Sequence, residues 1–310
     1  MSSIFLNGSQ ILITLGGYVN LDKYRYVYFV SLLTVYVFII CSNCSIIGLI
    51  WNHRNLHEPM YIFIAALCLN SLMYSTVIYP KLFVDILSHR QSISHSACML
   101  QLFFFYTFGI ADFFLLAAMA YDRYVSICKP LQYATTMNTS RVTVLIALSW
   151  FLAACLTAAA TSINAKQKMC RFDSVGIFCN SSITNLHCVR SKMLAVIAVL
   201  IFFNGVFVPM LFILFTYIRI FIVVYRRSSR DQEKAAETCL PHMIVLINFC
   251  CLAAFDVIAT RVDSELPKSI RLMMILQTAV WSPLFNPIIY GLRMKSIRKY
   301  INMLLHHIVK

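Results

Sequence analysis

Seven blocks, each about as long as a membrane crossing, run almost without charge along the chain, separated by short polar stretches. They cover Tyr26–Trp51, Met60–Tyr79, Met99–Tyr121, Val142–Ile163, Met193–Tyr217, Thr238–Ala259 and Ile270–Leu292. A hydrocarbon core of about 30 Å takes roughly 20 helical residues to cross. Backbone N–H and C=O groups in lipid must be satisfied within the segment, so these blocks are helices. The pattern predicts an all-α membrane protein, a seven-transmembrane helix bundle over residues 26–292, behind a short N-terminal arm of residues 1–25. Past Leu292 the period changes. Met294, Ile297, Ile301, Leu304, Leu305 and Ile308 share one face, and Lys295, Arg298 and Lys299 lie outside it. Residues 293–310 therefore read as a short amphipathic eighth helix on the lipid surface, without a cysteine for palmitoyl anchoring. Residues 1–310 form a single domain.

Composition agrees: 60% of the 310 residues are hydrophobic and 12% charged, too little charge for a soluble domain of this size. The net charge of +14 does not indicate nucleic acid, because the basic residues are scattered over short loops with no basic stripe. They anchor the bundle at membrane lipid. "MSSIFLNGSQ" lacks a basic leader segment, so the first span is expected to act as its own insertion signal.

Lys and Arg divide almost evenly between the two faces, so the positive-inside rule decides little. Arg226, Arg227, Arg230, Lys234 and Arg293, Lys295, Arg298, Lys299 favour a cytoplasmic C-terminus; Lys166, Lys168, Arg171, Arg190 and Lys192 oppose it. Glycosylation acceptors break the tie. Asn7-Gly8-Ser9 and Asn180-Ser181-Ser182 fall on one face, which must be lumenal for either to be used; Asn138-Thr139-Ser140, on the other face, is read as chance. Cys98, Cys170, Cys179 and Cys188 share the face of the first two acceptors, enough for two disulfides in three possible connectivities. The expected topology is N-terminus outside, C-terminus inside. The chain shows no paired carboxylates, metal-ligand cluster or nucleophile elbow of an enzyme, and His306 and His307 are adjacent in a tail, poorly placed to share a metal. A transporter is the weaker reading, since seven spans do not divide into matched inverted halves.

The motifs add a function. "MAYDRYVSICKPLQY" (Met119–Tyr133) puts an Asp-Arg pair where the third span ends. It resembles the signature of vertebrate olfactory receptors, a branch of the rhodopsin-like G-protein-coupled receptors. "LHEPMYIFIAALC" (Leu56–Cys68), "KAAETCLPHMIVL" (Lys234–Leu246) and "PLFNPIIYGLR" (Pro283–Arg293) resemble the same family in the same order; "NSLMYSTVIYPKLF" (Asn70–Phe83) is closer to its fish members. The resemblance implies a small-molecule odorant as ligand and a heterotrimeric G protein, of the stimulatory olfactory type, as partner. It implies plasma-membrane residence in olfactory sensory neurons. Another chemosensory role within the same receptor class stays open. Of the three connectivities, the one expected for such a chain is Cys98–Cys179 with Cys170–Cys188.

Residue roles follow from the resemblance and suit the physics. Asp122 neutralises Arg123 beside Tyr124 in the resting bundle, because charge at this depth is expensive unless paired. Ligand then releases Arg123 by binding the two states differently. In Asn286-Pro287-Ile288-Ile289-Tyr290 the proline frees a carbonyl for which Asn286 is the expected partner, and Tyr290, with Tyr217 on span five, is expected to switch partners as the spans move. Asp112, about 16 Å deeper than Arg123 along the same helix, is expected to form a polar hub with Asn43, Asn70 and Ser71. That hub is either a weak sodium site or a hydrogen-bonded cluster, since Ser71 stands where a second carboxylate is usual. The ligand is expected between the outer halves of spans three, five, six and seven. The candidate contacts are Phe105, Tyr106, Gly109, Asn204, Phe207, Ala253, Asp256, Val257, Arg261, Leu276 and Ala279. Asp256 and Arg261 more plainly pair with each other or with loop charges; an inward Arg261 would bind an anion.

Overall fold

The computed structural model of the chain describes residues 11–189, 191–225, 239–254 and 267–308. Seven apolar helices form a bundle. They are α1 (Leu21–Asn52), α2 (Pro59–Leu87), α3 (His95–Cys128), α4 (Thr139–Lys166), α5 (Lys192–Tyr225), α6 (Cys239–Ala254) and α7 (Lys268–Arg293). An eighth, α8 (Lys295–Ile308), follows. Six of them are each long and apolar enough to cross a membrane, and α6 is shorter over its described part. Local chemistry sets the starts. Ser94 accepts from the Ala97 N–H, Asn138 from Arg141 and Ser191 from Leu194, while Pro59 occupies the first turn of α2, where no N–H is needed. The Asn138 side chain is thus a helix cap, which accounts for that residue without a glycan.

Helix α3 is the axis, packed against α2, α4 and α5, with α1 and α7 closing around α2. Phe113 of α3 meets Phe249 of α6 edge to face at 6.1 Å. Met294 and Ile297 at the start of α8 are buried in the same core as Ile46 and Tyr290, so α8 docks on the bundle through its apolar face.

Prolines release carbonyls inside the membrane, and neighbouring helices answer them. Pro287 frees the carbonyl of Pro283, and Asn43 Nδ2 of α1 donates to it at 3.0 Å. Pro283 in turn frees the Ala279 carbonyl, which accepts from Tyr79 of α2 at 3.4 Å. The expected partner for the first carbonyl was Asn286. Its Nδ2 instead donates to Ser71 Oγ of α2 at 3.1 Å, and Asn43 of α1 takes the freed carbonyl.

Two features depart from the sequence reading. The arm is not all loop. Leu12–Leu15 (β1) pairs antiparallel with Ser92–Ser94 (β2) and parallel with Asp173–Ser174 (β3). Ile13 and Leu15 alternate inward onto Cys98, Leu102 and Cys179. At Gly17 the arm passes so close to the α4–α5 loop that a Cβ would lie 2.6 Å from the Val175 carbonyl oxygen. In addition, α5 contains a wide turn at Phe203–Phe207. One extra residue there turns the following face by about 100°.

If Asn43 serves the Pro287 kink, their losses are coupled. Asn43→Leu is expected to destabilise the solubilised protein by about 1–3 kcal/mol, and by less in a Pro287→Ala background, where the restored N–H serves the same carbonyl. Melting curves of the unaltered protein, the two single variants and the double variant check this; purely additive losses would contradict it.

Candidate functional site

At one end of α3, Asp122 is fully buried. Its Oδ2 accepts from Arg123 Nε at 2.9 Å and also from Arg123 Nη2. Its Oδ1 accepts from the Tyr133 hydroxyl at 2.9 Å. The Pro130–Gln132 turn reverses the chain and delivers Tyr133 to that position. Burial, and then the Asp122 charge, hold the Tyr133 phenol well above its ordinary value, so it stays a donor. A buried carboxylate with donors on both oxygens is the arrangement in which a charge at this depth is tolerated. Tyr124 turns its ring to Lys129, whose Nζ lies 5.9 Å from the ring centroid.

Tyr217 and Tyr290, the two residues expected to switch partners as the spans move, each have a separate partner in this arrangement. The Tyr217 hydroxyl bonds Nδ1 of His242 on α6, and the buried Tyr290 hydroxyl meets Met119 Sδ at 4.0 Å. A buried imidazole needs a partner, and Tyr217 supplies one across the α5–α6 interface.

Deeper along α3, Asn70 Nδ2 donates to Asp112 Oδ1 at 2.8 Å and to the Phe108 carbonyl at 2.8 Å. Trp150 Nε1 of α4 donates to Asn70 Oδ1 at 2.9 Å. Asn286 reaches Ser71 in the next position of α2, and Asn43 reaches α7. Asp112, Asn70, Ser71, Asn43 and Asn286 are all buried, and their hydrogen bonds tie α1, α2, α3, α4 and α7 together at mid-depth.

Beyond this layer, toward the disulfides, lies a cavity of about 580 Å³, within the range of small-molecule sites. Phe105, Tyr106, Gly109 and Ala253 line it. Asn204, Phe207, Leu276 and Ala279 do not. Asn204 and Phe207 sit in the wide turn of α5, which presents Val206 inward, and the Asn204 amide folds back to the Leu200 carbonyl at 2.8 Å. Ala279 faces α2, so α7 lines the cavity with Thr278 and Ser282. Asp256, Val257 and Arg261 fall outside the described residues, as do Asn7 and the basic run at 226–234. Helix α4 contributes Thr157, Thr161 and Asn164.

The α4–α5 loop roofs the cavity. Cys98–Cys179 and Cys170–Cys188 are bonded, with Cα atoms 5.4 and 4.7 Å apart, which selects one of the three connectivities. Gln101 accepts from the Cys179 N–H and donates to the Val77 carbonyl beside Pro80, and Tyr106 accepts from the Ser181 N–H at 3.0 Å. Asn180 was expected to carry a glycan. It is buried, and its Oδ1 accepts from Ser182 N–H and Oγ at 3.1 and 2.6 Å; a sugar on Nδ2 would require the side chain to leave this buried position. His187, in the same roof, is pushed below its ordinary value by burial and then by His95, so its ring is neutral at pH 7.

A family model described as "Olfactory receptor" matches residues 32–307. The chain belongs to the olfactory receptor family. Olfactory receptor 4E1 of Homo sapiens is 36% identical over 289 residues, covering 91% of this chain and 89% of that protein. Olfactory receptor 1500 of Rattus norvegicus is 33% identical over 285 residues, covering 90% and 89%. Olfactory receptor 10K1 of Homo sapiens is 34% identical over 294 residues, covering 91% and 90%. The chain is therefore a multi-pass, odorant-sensing G-protein-coupled receptor and not an enzyme. In this receptor Tyr133, His242, Trp150 and Gln101 take structural parts that sequence reading did not assign. Tyr133 and His242 stand inside the quoted motifs, but their partners lie on other elements.

Tyr133→Phe keeps the ring and removes one donor to a buried charge. The expected loss is about 1.5–3 kcal/mol, read as a lower melting temperature of the purified receptor at unchanged helix content. An unchanged melting temperature would mean that Asp122 does not depend on Tyr133.

Proposed function

We propose that an odorant occupies the cavity between α3, α4, α5, α6 and α7, and that its binding loosens the Asp122–Arg123–Tyr133 cluster to admit a stimulatory heterotrimeric G protein that raises cyclic AMP. One observation carries this reading: a single helix, α3, lines the cavity with Phe105, Tyr106 and Gly109 and holds the buried ion pair at its far end. Ligand has leverage only if it binds the two arrangements differently, and a shared helix is a direct route. Tyr217 and His242, joining α5 to α6, are the second contact that such a movement would break.

The same reading puts the disulfide face and the arm outside and the ion-pair face in the cytoplasm, in the plasma membrane of olfactory sensory neurons. Asp112 serves as a hub that holds the resting packing. The fit to a sodium ion is partial. Asn286 Oδ1 and Asn43 Oδ1 are buried acceptors without a donor, the kind of oxygen a hard cation takes. Against this, Asn70 already donates to Asp112, and Ser71 supplies no second carboxylate. An ion bound there would add charge compensation to Asp112 and stiffen the resting state.

The test is odorant-evoked cyclic AMP in cells displaying the receptor, beside Arg123→Ala at matched surface staining. The response is expected to fall at least ten-fold in the variant. A full response from Arg123→Ala would contradict the role of the ion pair, and odorant-evoked current or flux in its place would contradict receptor coupling.

A further inference from the structure

The chemistry of the cavity wall narrows what occupies it; this step rests on the proposal that the cavity is the ligand site. The wall is apolar over most of its area, through residues such as Phe105, Phe113, Leu194, Val206 and Phe249. Among the described residues none of its lining side chains is Asp, Glu, Lys or Arg. An ionised group entering there would lose its water and meet no counter-charge among these described lining residues, which disfavours carboxylates and ammonium ions alike.

The roof is different. Three lining residues at the disulfide end, Asn164, Ser181 and His187, each carry a buried polar atom without a hydrogen-bond partner: Asn164 Oδ1, Ser181 Oγ and His187 Nε2. Asn164 is 5% exposed. Its amide nitrogen is already committed to the Ala160 carbonyl at 3.0 Å, which leaves the oxygen as a pure acceptor. A buried acceptor is satisfied only by a donor. An ether, ester or ketone brings none. Ser181 and His187 are able to donate or to accept. A group that donates once and accepts once serves Asn164 and one of the other two.

We propose that the receptor's ligand is an uncharged, largely apolar alcohol or phenol, seated with its hydroxyl at the roof so that it donates to Asn164 and accepts from Ser181 or His187. The apolar body fills the space between Phe105, Phe113 and Phe249. Neutral alcohols are the class selected, against acids and amines of the same skeleton.

The experiment uses the full-length receptor and sets of compounds built on one carbon skeleton each: decyl, menthyl-type and phenylalkyl. Every set holds the alcohol, its methyl ether, the carboxylic acid and the primary amine. Binding is read first, as a shift in melting temperature of the purified receptor, so that it does not depend on signalling; cyclic AMP in cells is read second. In at least one set the alcohol is expected to bind at least ten-fold more tightly than the ether, acid and amine. Asn164→Leu is expected to bring alcohol and ether within about two-fold, at unchanged ether affinity and surface display. That readout separates a lost hydrogen bond from a damaged fold. Strongest binding by an acid or amine, equal binding of alcohol and ether, or no shift from any compound would overturn the proposal. Alcohol binding without cyclic AMP would uphold it while contradicting the coupling proposed above.

Discussion

In hydrocarbon, a backbone carbonyl that loses its helical partner must find a donor from another helix, and this receptor is organised around that demand. Pro287 and Pro283 release two carbonyls on α7, answered by Asn43 of α1 and Tyr79 of α2. Gln101 of α3 donates to the Val77 carbonyl of α2, next to the Thr76 carbonyl that Pro80 frees, and also holds the N–H of Cys179. The two α7 prolines therefore fix which helices lie beside them, through donors that reach across. Apolar packing alone gives little directional preference between helices in lipid.

The mid-depth layer extends the same logic to charge. Asp112 sits where a carboxylate is expensive, and Asn70, itself held by Trp150, donates to it. At the end of α3, Asp122 takes donors from Arg123 and from Tyr133 across a turn. The helix between carries the cavity wall along one stretch and these polar contacts further along it. Both polar clusters are built from short hydrogen bonds between elements, so a shift of one helix breaks bonds discretely. That is the property a two-state element needs.

Much of this was legible in the chain. The seven blocks match the seven helices, although most helices run several residues further into the loops at one or both ends. Pro80 does not end α2: the helix continues to Leu87, with Lys81 paired to Asp85. Asp122, Arg123 and Asp112 stand out because charge in an apolar run demands a partner. What could not be read is what depends on contact between distant elements. The strand Leu12–Leu15 is too short to carry a pattern and forms only because two loops flank it. The wide turn in α5 has no sequence mark, so the inward face of that helix was assigned to Asn204 and Phe207 in place of Val206. Asn164 lies near the end of α4, and only the cavity that reaches it gives its amide oxygen a part.

The central claim is that the Asp122 cluster holds the ion-pair end of the bundle closed. Spin labels at Leu131, exposed on the turn after α3, and Leu240, exposed on α6, report the separation of those elements in the purified receptor without ligand. The account predicts one short distance in the unaltered receptor and an added, longer population in Asp122→Asn, which weakens the hold on Arg123. Identical distance distributions in the two proteins would contradict it.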